Sequence, residues 1–328
     1  MLRPANVIVS ILFVAAMACI WLGITRLRAI RPTGAFDVKV AEQQSLSPAG
    51  QSTALITLFS PVAPQGSKFP VLVYFSDWDG TRIQNRRLLE DLASHGFVVV
   101  AVTYPSAGPG MDFSSQTAFD TTLRNANERV QQRVQDAERV LDWLGSSNLS
   151  GIADTSRAGI LGYSFGGAVA ADACVTYPHY KAALNIDGWR FGEALKSAVS
   201  CPYMLITDDA PVPVEADLTA KDPVQRYSSI LDSMDNQREM ADHNRPDTYW
   251  VVVNGVDHAG FTEPESGLPS LLPSLGDKEP FPRNLEILRT YTLIFFSKYL
   301  LGSNQQLSQG QDKDFSNVQV LMHQTSGH

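Results

Sequence analysis

Ser164 lies at the centre of the segment Gly162-Tyr-Ser-Phe-Gly166, which has the pattern Gly-x-Ser-x-Gly. The apolar run ending at Leu161 predicts a buried strand, and the small residues of 168–173 predict the first turns of a helix. A serine at such a strand-to-helix corner is exposed at the carboxyl end of a sheet, and the tight corner requires flanking glycines. By chance alone, the pattern arises in roughly one chain in ten of this length. It therefore predicts a nucleophile only if the chain supplies partners for the serine.

A serine hydroxyl needs an imidazole to accept its proton and a carboxylate to orient that imidazole. His258 directly follows the last apolar strand in a Gly-containing loop and is the natural base. Asp187 ends the strand that follows the serine strand, and Asp208 ends the next one. The order serine, acid, histidine is that of α/β-hydrolases, in which each group lies at the carboxyl end of a strand. The commoner layout uses the second acid position, so the residues alone favour Asp208 and leave Asp187 open.

Strand and helix patterns alternate along most of the chain. A continuous apolar run over 69–75, an amphipathic helix over 86–94 and a second apolar run over 97–102 predict a βαβ unit with parallel strands. Further strands are expected to end at residues 186, 207 and 253, and a helix is expected over 284–300. This alternation predicts an α/β-hydrolase fold with a mostly parallel central sheet and helices on both faces.

The same signals divide the chain into segments. We expect one α/β-hydrolase domain over 31–302, in which the polar, Pro-containing segment at about 210–247 is a small lid. Residues 303–328 are rich in Gln and Ser and are predicted to be a disordered tail.

Composition excludes several classes of function. The 328 residues are 44% hydrophobic and 18% charged, which predicts a sizeable core. A formal net charge of −8 offers no basic surface for a nucleic-acid partner. The three cysteines, Cys19, Cys174 and Cys201, predict neither a disulfide framework nor a metal cluster. Cys174 and Cys201 are able to pair only if the fold brings them together.

The amino-terminal residues predict a membrane anchor. Residues 7–24 carry no charge, and arginines flank them at Arg3 and at Arg26, Arg28 and Arg31. Eighteen such residues just span a bilayer, so we expect an uncleaved single-pass helix within residues 1–30, with a cleaved signal peptide as the alternative. The three arginines after the span favour a cytoplasmic domain, whereas the signal-like start favours an extracytoplasmic or periplasmic one. We expect the extracytoplasmic side, and both remain open.

Four segments together resemble the plasma-type platelet-activating factor acetylhydrolases, and the similarity extends in the same order over roughly residues 69–261. They are Phe75-Ser76, Asp91-Leu-Ala-Ser-His-Gly-Phe-Val-Val-Val-Ala-Val102, Gly162-Tyr-Ser-Phe-Gly-Gly167 and Asn185-Ile-Asp-Gly-Trp189. In that family the acid follows the strand after the nucleophile in an Asp-x-Trp context, which matches Asp187 with Trp189. The resemblance therefore implies the triad Ser164, Asp187 and His258, with Asp208 as the alternative acid, and implies neither a metal nor a cofactor.

The resemblance also implies two backbone N–H donors that form an oxyanion hole. One is the N–H of Phe165, and the other comes from the loop after the strand 69–75. Where the family has His-Gly-x-Gly, this chain has Asp77-Trp-Asp-Gly80. Alignment places the second donor at Asp79, with Trp78 as the alternative, and the Asp79 carboxylate must then point away from the developing negative charge.

The expected function is hydrolysis of carboxylic esters by a serine esterase through an acyl-enzyme. The resemblance implies a short-acyl lipid ester as substrate, close to a membrane. One alternative is a general carboxylesterase or a cutinase-like polyester hydrolase with the same triad. An alternative of another class is a hydrolase-like fold that only binds its ligand, for which the altered loop at 77–80 would be the reason.

Overall fold

The computed structural model describes residues 30–46, 53–264 and 281–322. Within these ranges no helix has the length and apolarity that crossing a membrane requires. The apolar segment 7–24 of the predicted anchor lies outside the described residues.

Within the described ranges, ten strands form one mixed sheet. In chain order they are β1 (Val38–Ser45), β2 (Leu55–Pro61), β3 (Phe69–Phe75), β4 (Val98–Thr103), β5 (Ala153–Tyr163), β6 (Tyr180–Ile186), β7 (Tyr203–Thr207), β8 (Thr248–Val253), β9 (Gly310–Gln311) and β10 (Val318–Met322). The spatial order is β1-β2-β4-β3-β5-β6-β7-β8-β10-β9. The six strands from β4 to β8 in this order pair in parallel, and the outer pairs on both sides are antiparallel.

Helices cover both faces of the sheet. Helices α1 (Arg86–Ser94) and α6 (Phe281–Phe296) pack on one face. The other face is covered by α2 (Gln116–Ser146), α3 (Phe165–Thr176) and α5 (Pro223–His243), and the short α4 (Glu215–Leu218) precedes α5. Because both faces are covered, the central strands carry continuous apolar runs such as that of β4, in which every residue is buried. The predicted α/β architecture is confirmed, including the β3-α1-β4 unit with parallel strands.

One segment differs from the prediction. The predicted disordered tail is wrong for residues 318–322, because β10 pairs with β8 and buries Val318 and Val320. Helix α2 begins at Gln116, where the Ser115 hydroxyl accepts a hydrogen bond from the Ala118 N–H (3.2 Å) and caps the amino end. The segment 210–247, predicted to be a lid, contains α4 and α5.

The fold brings Cys174 at the end of α3 close to Cys201 before β7. Their Cα atoms lie 5.7 Å apart and the two residues form a disulfide. The sequence alone did not predict this disulfide, because the pairing depends on how α3, β6 and β7 pack against one another.

Candidate active site

Ser164 lies at the sharp turn between β5 and α3 and adopts φ 55° and ψ −122°. This left-handed conformation is costly for a residue with a side chain and is typical of strained functional corners. A Cβ at Gly162 would lie 2.1 Å from the carbonyl carbon of Gly166, and one at Gly166 would lie 2.0 Å from the Phe75 carbonyl oxygen. Glycine is therefore required at both positions, and the predicted strand-turn-helix corner is confirmed.

His258 begins a 3-10 turn in the loop that follows β8, and its side chain reaches the serine. Its Nε2 lies 3.1 Å from Ser164 Oγ, and its Nδ1 lies 2.6 Å from Asp187 Oδ2. The Tyr163 ring stacks on the imidazole at 4.9 Å between centroids, and the Tyr163 hydroxyl donates to the His258 carbonyl oxygen (3.1 Å). The histidine side chain is 51% exposed, so its ring is held from one side and open to substrate on the other.

Asp187 follows β6 in a second left-handed conformation, with φ 53°. Its Oδ1 accepts hydrogen bonds from the Thr207 hydroxyl (2.8 Å) and from the Asp208 N–H (3.1 Å), which leaves Oδ2 for His258. Of the two candidate acids, the structure therefore places Asp187 against the imidazole, while Asp208 supports Asp187 through its backbone. Thr207 is part of no recognisable sequence motif, and its role in orienting Asp187 is seen only from this hydrogen bond.

The charges around His258 change its acidity. Burial of the ring lowers the pKa of His258, but the hydrogen bond and charge of Asp187, together with the nearby carboxylates of Asp208 and Asp77, outweigh burial and raise the pKa above the usual histidine value. Burial also raises the pKa of Asp208, and the charge of Asp187 adds to that shift.

The loop of residues 77–80, which we call the β3 loop, faces Ser164 from the other side. The Trp78 ring meets the Phe165 ring edge-on at 4.8 Å and lines the same cavity as Ser164. Asp79 is exposed and is not part of the cavity wall, whereas the Asp77 carboxylate accepts the Gly80 N–H (3.0 Å) and closes a turn. Phe165 is the first residue of α3, so its N–H has no partner within that helix.

A cavity of about 640 Å³ opens onto Ser164 and His258. Aromatic side chains and carboxylates dominate its wall: Trp78, Phe165, Trp189, Phe191 and Trp250, and Asp208, Asp209, Asp232, Asp235 and Glu239. Helix α5 supplies three of these carboxylates. Within the described ranges, no group of His, Cys, Asp and Glu side chains has the arrangement of a metal site.

Comparison with known proteins identifies the family. Residues 57–274, well over half of the chain, match the dienelactone hydrolase family. The chain belongs to the dienelactone hydrolase family. The match spans Ser164, Asp187, His258 and the β3 loop, so the geometry described above lies within the family domain.

Curated proteins whose sequences are similar to this chain are esterases, and their sequence identity to it is low. The chain is 22% identical over 296 residues to a platelet-activating factor acetylhydrolase of Cavia porcellus, covering 78% of this chain and 61% of the relative. It is 23% identical over 262 residues to a probable 1-alkyl-2-acetylglycerophosphocholine esterase of Arthroderma benhamiae, covering 77% of this chain and 66% of that protein. The chain thus spans about three fifths of the length of the Cavia porcellus relative.

The fold of this family member is also found among solved structures. A ferulic acid esterase from Streptomyces cinnamoneus superposes with a TM-score of 0.64 at 20% identity, covering 88% of this chain and 98% of the esterase. The resemblance to platelet-activating factor acetylhydrolases is confirmed, and the chain belongs to a hydrolase family in which these similar proteins are esterases.

The sequence analysis did not predict a role for two arginines that the structure shows to be buried near the site. Arg133 on α2 is 3% exposed and donates to the carbonyl oxygens of Asp77 and Trp78, and Arg190 after β6 is 0% exposed. A signal for Arg133 exists: it falls on the apolar stripe of α2, three residues after the buried Val130. A charged residue on a buried stripe indicates a specific partner inside the fold.

Proposed function

We propose that this protein hydrolyses short-acyl carboxylic esters through an acyl-enzyme on Ser164. The observation that carries the proposal is the hydrogen-bonded chain from Ser164 Oγ to His258 Nε2 (3.1 Å) and from His258 Nδ1 to Asp187 Oδ2 (2.6 Å), on the wall of a cavity. A serine activated by an adjacent imidazole, itself oriented by a carboxylate, is the arrangement that acyl transfer requires.

In the first half-reaction, Ser164 Oγ attacks the ester carbonyl carbon and its proton moves to His258 Nε2. The N–H groups of Phe165 and Trp78 donate to the oxyanion that forms, and we assign Trp78 rather than Asp79 because Trp78 lines the cavity. The tetrahedral intermediate then expels the alkoxide, which takes the proton from His258. In the second half-reaction, water attacks the acyl-enzyme, its proton passes through His258 to Ser164, and the free acid leaves.

His258 must be neutral to accept the serine proton. The Asp187 and Asp208 carboxylates raise the pKa of His258, so a larger fraction of the imidazole is protonated at a given pH below that value. Hydrolysis is therefore expected to rise with pH through a midpoint above the ordinary histidine value of about 6.5.

Short acyl groups on a lipid-like alcohol are the proposed substrates. The aromatic part of the cavity wall favours an apolar group, and about 640 Å³ accommodates a small acyl chain with part of the alcohol. The names of the relatives from Cavia porcellus and Arthroderma benhamiae point to acetyl esters. The runner-up is a general carboxylesterase that accepts longer acyl groups equally well.

Active-site labelling tests the chemistry. A fluorophosphonate probe is expected to label the purified protein, and Ser164→Ala is expected to abolish both labelling and ester hydrolysis. Ser156→Ala is a suitable control because Ser156 lies on the same strand, where its side chain contacts Asp154. Labelling that persists in Ser164→Ala would exclude Ser164 as the nucleophile, and a folded wild-type protein without labelling or hydrolysis would support a ligand-binding role.

An ester series tests the substrate class. With one alcohol and acyl chains from acetyl to palmitoyl, kcat/KM is expected to be highest for the shortest acyl groups. A flat profile would favour the general carboxylesterase. Hydrolysis of acetyl esters of a phospholipid, compared with acetyl esters of a short alcohol, separates a lipid substrate from a water-soluble one.

We further propose that the domain acts on the extracytoplasmic side of a membrane, held by the apolar segment 7–24. The disulfide between Cys174 and Cys201 supports this location, because disulfides persist in oxidising compartments. Thiol alkylation of the protein from its native source, before and after reduction, tests it. Free thiols at both cysteines before reduction, or a mature chain that begins beyond residue 24, would contradict the proposal.

A further inference from the structure

Arg133 connects α2 to the β3 loop. Its Nη1 donates to the Asp77 carbonyl oxygen and its Nη2 to the Trp78 carbonyl oxygen, both at 2.7 Å. The side chain is 3% exposed, so these two hydrogen bonds form away from water, where charge-assisted bonds are strong. The guanidinium thus binds two consecutive peptide units of the loop that faces the nucleophile.

These two peptide units contain both candidate oxyanion donors. The Asp77 carbonyl shares its peptide plane with the Trp78 N–H, and the Trp78 carbonyl shares its plane with the Asp79 N–H. All described peptide bonds are trans, so each N–H points opposite to its carbonyl. Because Arg133 holds both carbonyls, it directs both N–H groups away from itself.

Arg133 also contacts the other half of the candidate oxyanion hole. Its guanidinium carbon lies 5.0 Å from the centroid of the Phe165 ring and 4.9 Å from that of Tyr104. Phe165 supplies the second proposed donor, so a single side chain touches both donor residues. These cation-π contacts and the two carbonyl hydrogen bonds together hold the guanidinium in place.

The surroundings of Arg133 show a site shaped for a guanidinium. A Cβ at Gly80 would lie 2.6 Å from Nη2, and Gly80 also has φ 66°, so a glycine is required there on two grounds. Within the described ranges Arg133 forms no ion pair with a carboxylate, and Asp136 on the same helix pairs instead with Arg139 (2.7 Å). The positive charge of Arg133 is therefore compensated by carbonyl dipoles and aromatic rings.

We propose that Arg133 is a positioning residue for ester hydrolysis, which fixes the β3 loop so that its backbone N–H points at the oxyanion formed on Ser164. This assignment rests on the proposed acyl-enzyme mechanism. Burial lowers the pKa of Arg133 to about 10, which still leaves the guanidinium charged at neutral pH.

The test compares Arg133→Met and Arg133→Lys with Arg124→Met as the matched control. Arg124 is on the same helix but exposed, and its guanidinium donates a hydrogen bond to the Thr121 hydroxyl (3.2 Å). Because losing one oxyanion donor costs about 10²- to 10³-fold in kcat, Arg133→Met is expected to lower kcat for 4-nitrophenyl acetate by about 100-fold with KM within about threefold. Lysine supplies a point charge without the planar fork, so Arg133→Lys is expected to lose about tenfold.

A second readout separates positioning from general structural damage. A trifluoromethyl ketone adds to an active-site serine as a tetrahedral oxyanion, so its Ki is expected to rise across the three variants in proportion to the loss of kcat/KM. Fluorophosphonate labelling of Ser164 and the melting temperature show whether each variant is folded. Arg124→Met is expected to match the wild-type protein in every measurement.

Each outcome bears on the assignment. A folded Arg133→Met with kcat within about threefold of wild type, or with a raised KM and unchanged kcat, would overturn it. If Arg133→Met does not fold, Arg133→Lys decides: reduced kcat with weaker trifluoromethyl ketone binding supports the assignment, and wild-type values overturn it. An inactive, unlabelled wild-type protein would instead contradict the proposed function itself, so the two failures are distinguishable.

Discussion

Two loops flank Ser164, and each is held by a buried arginine with different partners. On the β3 loop, Arg133 binds the carbonyl oxygens of Asp77 and Trp78. Beyond Asp187, Arg190 binds Glu239 of α5 through two hydrogen bonds of 2.7 Å. The Arg190 charge is thus neutralised by carboxylates in direct contact. Arg133 instead contacts carbonyl dipoles and aromatic rings, and the carboxylates of Asp77 and Asp136 act on its charge from a greater distance.

The Arg190 network ties the predicted lid to the loop that carries the acid. Arg190 also pairs with Asp242, and Glu239 accepts the Tyr203 hydroxyl (2.9 Å). That hydroxyl accepts from Asn185 Nδ2 (3.1 Å), and the same amide nitrogen donates to the Gly188 carbonyl (2.7 Å) on the far side of Asp187. Helix α5 is therefore a fixed wall of the cavity, bound to the Asp187 loop through buried polar groups.

This difference assigns the two arginines different tasks. Removing one partner of a buried ion pair leaves an uncompensated charge and costs about 3–5 kcal/mol of stability. Removing Arg133 leaves the Asp77 carbonyl without its donor, at about 1–3 kcal/mol, while the Trp78 carbonyl keeps the hydrogen bond from Arg129 Nη1 (3.1 Å). The peptide units of the β3 loop are then held less firmly. We expect Arg190 to act mainly on stability and Arg133 mainly on the rate of hydrolysis.

The largest expected effect concerns the acid on the Arg190 side. Asp187→Asn is expected to lower kcat by about 10⁴-fold, because an amide favours the wrong tautomer of His258 and does not stabilise the imidazolium. Steady-state hydrolysis of 4-nitrophenyl acetate measures it. Asp208→Asn is the control and is expected to keep its plateau kcat within about threefold, since Asp208 reaches Asp187 through its backbone N–H. The reverse result would move the acid to Asp208.

The second prediction compares the two arginines directly. Arg190→Met is expected to lower the free energy of unfolding by about 3–5 kcal/mol, because buried Glu239 loses its cation and Asp242 loses one of two, keeping Arg238. Urea denaturation of Arg190→Met and Arg133→Met measures the difference, and Arg190→Met is expected to be the less stable variant with the higher kcat per folded molecule.

A double variant sharpens this comparison. Adding Glu239→Gln to Arg190→Met removes the buried carboxylate that has lost its cation and is expected to recover part of the lost stability. If Arg190→Met and Arg133→Met lose stability and kcat in the same ratio, the proposed division between the two arginines is wrong.

The third prediction displaces Arg133 without replacing it. Gly80→Ala places a Cβ 2.6 Å from Arg133 Nη2, and the resulting shift of the β3 loop is expected to lower kcat by about tenfold. Gly66→Ala is a matched control, because Gly66 also has a positive φ (92°) but no atom lies within 4 Å of its added Cβ. Both variants are expected to lose stability, and only Gly80→Ala is expected to lose activity. Equal kcat values would separate the β3 loop from catalysis.

The sequence was sufficient to predict those groups whose positions follow from the order of strands and loops along the chain. Ser164 and His258 follow apolar strands in the loops that a parallel sheet brings together, so pattern and spacing were enough to place them. Asp187 and Asp208 end adjacent strands and look alike in the sequence, and only the family resemblance favoured Asp187. Their difference in the structure is one of side-chain direction, since Asp187 reaches His258 and Asp208 offers its backbone.

Other features depend on contacts that a linear pattern does not encode. Arg133 binds backbone atoms 55 or 56 positions away, and every residue type carries such atoms. Strand β10 follows a polar stretch, and its five residues become recognisable only as partners of β8. The segment 210–247 was predicted to be a lid because it is polar. Its ion pairs were not predictable in the same way, because α5 pairs with Arg190 on the loop after β6.

The smallest expected effect is a shift of the pH profile in Asp208→Asn, and it separates the two sides of Ser164. The charge of Asp208 helps to raise the pKa of His258, so Asp208→Asn is expected to lower that pKa. Because the proposed mechanism requires a neutral imidazole, kcat/KM is then expected to reach its plateau at a lower pH, with the plateau itself unchanged. Arg133→Lys keeps the charge near the β3 loop and is expected to lower the plateau while leaving the midpoint in place. Profiles of kcat/KM from pH 5 to 9 distinguish the two variants, and a midpoint that moves in Arg133→Lys but not in Asp208→Asn would show that the β3 loop, rather than the acid loop, sets the basicity of His258.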